Sequence, residues 1–103
     1  MLIIKKLSGM IKEEIHDAEK YARCALNHKE TDKPLADTFY TLANEELKHM
    51  EMLHGQVTRI IGEYRKTKGE PPEGMMAIYN YVHEEQIEAV KEVKVLLGMY
   101  KEG

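Results

Sequence analysis

Two carboxylates and an imidazole stand where helical periodicity asks for apolar side chains. Steps of three and four residues along positions 35–64 give Leu35, Phe39, Leu42, Glu46, His49, Leu53, Val57, Ile60 and Tyr64. The same steps along positions 4–25 give Ile4, Leu7, Ile11, Glu14, Ala18, Tyr21 and Ala25. Burying an unpaired carboxylate costs several kcal/mol, and burying two together costs more. A bound cation removes that cost, because the charge that repels a neighbour becomes a ligand. Glu14, Glu46 and His49 are therefore the candidate metal ligands, and with them the candidate catalytic residues.

The Glu-x-x-His spacing alone does not select them. It occurs as Glu13 with His16, Glu46 with His49, and Glu51 with His54. Helical phase separates the three. Glu13 and His16 fall with Lys20 and Arg23 on a charged outer face, which predicts a solvated histidine. Glu51 falls with Lys48 and Arg59, while His54 joins a flanking stripe of Leu47, Met50, Val57 and Ile61, which predicts a core-edge histidine. A single polar residue in a seam often sets register or oligomer state, and that reading stays open for Glu14 taken alone. The three together point to a metal.

Three helices must hold these groups. The first begins between Ile3 and Gly9 and ends near Asn27. The second runs from about Pro34 to Lys66, with Asp32 as its cap and Pro34 in its first turn. The segment "KTKGEPPEG", with two prolines and two glycines, breaks the chain. A third helix follows from about Met75 to Tyr100, with Ile78, Val82, Ala89, Val93, Leu96 and Tyr100 as its stripe. No strand pattern appears. The expected class is all-α: one domain, residues 1–103, formed by an antiparallel helical hairpin plus a third helix and completed as a bundle by dimerisation. The hairpin turn centres near Glu30, about 16 residues after Glu14 and about 16–19 before Glu46 and His49. At ~1.5 Å per residue all three lie ~25 Å from the turn, on facing surfaces.

Carboxylate-rich sites with one imidazole per half suit iron or manganese better than zinc. In carboxylate-bridged di-metal bundles two helices each give a Glu and two others each give Glu-x-x-His. This hairpin supplies half of such a set, so two copies of the chain are needed. The third helix offers two further carboxylates. Glu85 is suggested by an echo between "IKEEIHDA" and "VHEEQIEA", and Glu92 by its height along the hairpin. Neither is counted among the ligands.

Glu14 with Tyr21 seven positions on, followed by "EELKH", resembles the first two helices of rubrerythrin and other ferritin-like proteins. The short chain is most similar to the encapsulated ferritins, over roughly residues 10–66. The resemblance implies a di-iron site at the interface of two hairpins from separate chains. Glu14, Glu46 and His49 would be its ligands, with Glu46 bridging and Tyr21 a hydrogen-bonding neighbour. It further implies Fe(II) oxidation by oxygen in iron storage or detoxification, in a homo-oligomer built from dimers, inside an encapsulating protein shell. The chain lacks the paired cysteines of a rubredoxin module. Peroxide reduction at the same site and a metal-free helical interaction protein remain the rival readings.

Composition narrows the partners. Charged residues are 32% and hydrophobic ones 43%, which argues against disorder and against a membrane-spanning chain. The net charge of −3, with no basic block, argues against nucleic acid. A single cysteine, Cys24, forms no internal disulfide and fits a reducing cytoplasm, where it reads as a small buried hydrophobe. No signal-peptide cleavage pattern follows "MLIIKKLSGMI". The seven methionines are expected to fill gaps in the core.

Overall fold

The computed structural model describes residues 2–102, and the three expected helices are present as α1 (Leu2–His28), α2 (Lys33–Lys68) and α3 (Glu73–Glu102). No strand occurs among the described residues. Local chemistry explains the breaks. Asp32 caps α2 by accepting the Leu35 backbone N–H at 3.2 Å, and Pro34 stands in the first turn, where its missing donor costs nothing. At the other end Gly69 takes φ 82°, a left-handed conformation that suits glycine, and its N–H closes on the Arg65 carbonyl at 3.2 Å. Pro71 and Pro72 follow, which cannot continue the helix.

The helices form a rod of 55 × 19 × 18 Å. α2 returns antiparallel to α1, and α3 runs back parallel to α1, packing chiefly on it and only lightly on α2. Two contacts fix the height of α3. Gln86 Nε2 donates to the Ser8 carbonyl at 3.1 Å. At the other end the Tyr100 ring stacks on Tyr40, with centroids 5.0 Å apart, and its hydroxyl donates to Asp37. Lys29 and Lys33 lie over that same ring, so cations and a carboxylate clamp the end of α3 to the α1–α2 turn. No helix among the described residues is long and apolar enough to cross a membrane.

The core follows the expected stripe of α1 and departs from that of α2. Ile4, Ile11, Ala18 and Ala25 are buried, and Ile15 and Ala22 join them. On α2 Val57 is buried as expected, but the other buried positions are Ala36, Ala43, Leu47 and Ile61, about one residue round the helix from the expected Leu35, Phe39, Leu42 and Ile60. Small alanines let the neighbouring helices come close, so that stripe is covered within the chain. The larger side chains are left at its edge. The expected role of Ile78 is corrected likewise: it is 69% exposed, and Val93, Leu97 and Tyr100 carry the buried face of α3. Met52, 71% exposed, is no gap-filler.

Candidate metal centre

Glu14, Glu46 and His49 do meet. One ligand atom of each lies within 4.8 Å of the other two. His49 Nδ1 is 3.5 Å from Glu14 Oε2 and 3.8 Å from Glu46 Oε2. α1 brings Glu14, and one turn of α2 brings both the others on one face, as their i,i+3 spacing requires. His49 is the outer limb, with a side chain 55% exposed, against 27% for Glu14 and 18% for Glu46. The trio thus closes one edge of the hairpin instead of sitting at the centre of the chain's own core.

The electrostatics are those of a site short of positive charge. Glu14 Oε2 is buried and has no hydrogen-bond partner. Leaving such an acceptor unsatisfied costs about 1–3 kcal/mol. Glu46 is pushed up to about 7, first by a hydrogen bond shared with Glu14, then by burial and by Glu14's charge. His49 opposes the shift, and Asp17 adds to it. Two facing carboxyls and an orphaned oxygen fit a hard or borderline cation, which would displace the shared proton and satisfy the oxygen.

The pH dependence of the metal-free protein follows with a definite sign. Glu46 titrates higher in the folded chain than its ordinary value of 4.5. Its proton therefore stabilises the fold below that value, and the benefit disappears as pH rises through about 7. The melting temperature measured in chelator should fall between about pH 5 and 8, and Glu46→Gln should flatten the slope. A melting temperature that rises with pH over this range in the parent would contradict the shared proton.

The other sequence expectations divide. His16 is exposed and His54 half-buried, as their helical phases require. Tyr21 stacks on Phe39 with centroids 6.1 Å apart, and its hydroxyl hydrogen-bonds none of Glu14, Glu46 and His49. Glu85 and Glu92 are exposed on α3 and do not belong to the trio. Because Gln86 is level with Ser8, Glu92 is level with Glu14, but on a surface of α3 turned outward. Sequence reasoning overlooked Asp17, although its i,i+3 spacing from Glu14 was a usable signal. It also overlooked the pairing of His54 with His83, whose rings stack 4.8 Å apart. No family model, no curated protein and no solved structure matches the chain, so the functional reading stands on this geometry alone.

Proposed function

We propose that the chain is a ferritin-like di-iron carboxylate protein that oxidises Fe(II) with oxygen, its site assembled from the trios of two copies. One observation carries the reading: Glu14, Glu46 and His49 converge within 4.8 Å around a buried oxygen that has no hydrogen-bond partner. Charge supports it. Each trio brings two carboxylates, so two copies bring four, which balances two divalent ions. The donor types favour iron, with manganese as the alternative, over zinc. The surroundings support a second copy. Leu35, Phe39 and Leu42 precede Glu46 on its face, and Met10 lies one turn before Glu14; Leu35 and Met10 are exposed and Phe39 and Leu42 only half-buried in the single chain.

The bound iron pair would supply the redox chemistry. The chain's own part is to hold and orient. Glu46 gives up the shared proton on binding, Glu14 contributes the orphaned oxygen, and His49 presents Nδ1 from the open edge. Packing on both hairpins would exclude bulk water once two copies meet.

Anaerobic Fe(II) titration followed by oxygen tests this. The expected results are one Fe(II) per chain, a di-ferric absorption band after oxygen, and a scattering mass of at least twice 11.9 kDa with iron bound. Peroxide consumption without oxygen-driven oxidation would reassign the task of the site. An absence of iron binding would leave the trio as a metal-free register device between helices.

A further inference from the structure

α3 is anchored unevenly along its length. Its buried residues, Val93, Leu97 and Tyr100, all lie in the last third. There Tyr40, Asp37, Lys29 and Lys33 clamp the Tyr100 ring. Before Val93 no described residue of α3 is buried, and Tyr79, Ala89 and Val90 are covered only in part. Gln86 bonds α1, while toward α2 a groove of about 370 Å³ opens over Ile11, Met50 and Val90. One ring contact among the described residues crosses it. His54 of α2 and His83 of α3 stack with centroids 4.8 Å apart and planes 11° apart. Tyr79 stacks on His83 in turn, with centroids 5.8 Å apart.

Such a contact holds only while at most one of the two histidines is charged. Neutral imidazoles stack as other aromatic rings do. A second proton sets like charges face to face at 4.8 Å, in a half-buried contact that water screens less than open surface. Nothing facing the pair neutralises them. Glu51, the one carboxylate that lines the groove, is exposed and pairs with neither ring. α1 lends the lining only Ile11, and α3 adds Lys91 and Lys94, of like charge, ~12–16 Å along the helix from His83. Lys91 is held by Glu88 at 3.2 Å. Tyr79 stays neutral, because burial raises the proton affinity of its hydroxyl. We propose that the His54–His83 stack is an acid-sensitive latch, which holds the first two-thirds of α3 on α2 when neutral and releases that segment when both rings are protonated, while Tyr100 keeps the far end in place. Release uncovers the apolar floor of Ile11, Met50 and Val90.

Burial, and then His83, holds the docked His54 below its ordinary value of 6.5. The open form therefore takes up protons first, and docking loses its advantage as pH falls below about 6.5. The clamp outlasts the latch in acid, because Lys33 first and then Tyr100 hold Asp37 below its ordinary value of 3.8. Glu46 shifts the opposite way and further, up to about 7, so it governs the melting of the whole chain and the latch has to be read locally.

Amide hydrogen exchange of the full chain, read segment by segment as protection factors at about pH 5 and 8, tests the latch. Residues 75–88 should lose protection about tenfold or more in acid, with a midpoint below 6.5, while residues 93–100 keep theirs. His83→Phe keeps a ring between His54 and Tyr79 but carries no charge, so residues 75–88 should then be protected alike at both pH values. His54→Phe should behave in the same way. The acid response should survive Glu14→Leu, Glu46→Leu and His49→Leu together, which separates it from Glu46 and from any metal at the trio. Equal protection of residues 75–88 at both pH values in the parent overturns the latch, as does an acid response that persists in either phenylalanine variant or vanishes with the trio. Should both variants be loose already at pH 8, the parent midpoint decides: a value below 6.5 supports the latch and one above it overturns the latch.

Discussion

Glu46→Ala should abolish Fe(II) oxidation, while Glu13→Ala, in another Glu-x-x-His match, should leave it nearly unchanged. The difference lies in helical phase. Glu46 is the least exposed member of the trio and its proton affinity is raised by the facing Glu14, whereas Glu13 is exposed on the outer face of α1. Losing a group that merely supports a ligand already costs about 10–100-fold in metal affinity or activity. On the proposed reading Glu46 would itself hold iron, so its loss should cost at least roughly 100-fold. Stopped-flow oxidation of Fe(II) by oxygen measures both variants. Equal losses in Glu46→Ala and Glu13→Ala would mean that the reacting iron is held elsewhere on α1.

The second large effect concerns stability and has the opposite sign for two forms of one protein. Replacing Glu14, Glu46 and His49 together by Leu should raise the melting temperature above that of the metal-free parent, yet remove all stabilisation by metal. In the metal-free parent one carboxylate oxygen is orphaned and Glu46 ionises only against Glu14. Apolar replacement of buried charged groups is often neutral or stabilising, by up to about 4 kcal/mol. Since His49 is half outside, the gain here should come from the two glutamates, roughly 1 kcal/mol, or about 4–8 °C for a domain of this size. Metal at a hundred times its dissociation constant should add about 2.7 kcal/mol to the parent and nothing at the trio of the variant. Melts at pH 7.5 in chelator, and again with Fe(II) under anaerobic conditions, decide the matter. A variant that melts well below the metal-free parent would show that Glu14, Glu46 and His49 hold the helices together by their own contacts, as a metal-free register device does.

Much of the positioning was legible in the residues because it depends on local rules. Asp32, Pro34, Gly69, Pro71 and Pro72 mark helix ends through caps and missing donors, which need no tertiary partner. The meeting of Glu14 with Glu46 and His49 was legible too. A tight hairpin turns sequence distance from its turn into height, and helical phase turns spacing into direction.

What the residues left open was the choice between neighbouring faces. α2 has one apolar stripe through Leu35, Phe39, Leu42 and Leu53 and a second through Ala36, Ala43, Leu47, Val57 and Ile61, about 100° apart. Periodicity scores both alike, and only the docking of α1 on the second placed the trio at an open edge. The pairing of His54 with His83 was equally invisible. These residues lie on separate helices, and their heights match only because Gln86 and Tyr100 set where α3 rests. The sequence by itself thus determined the helices, their ends and which three side chains meet. Tertiary packing alone decided which face is covered and what crosses from α2 to α3, because both depend on how closely whole helices can approach.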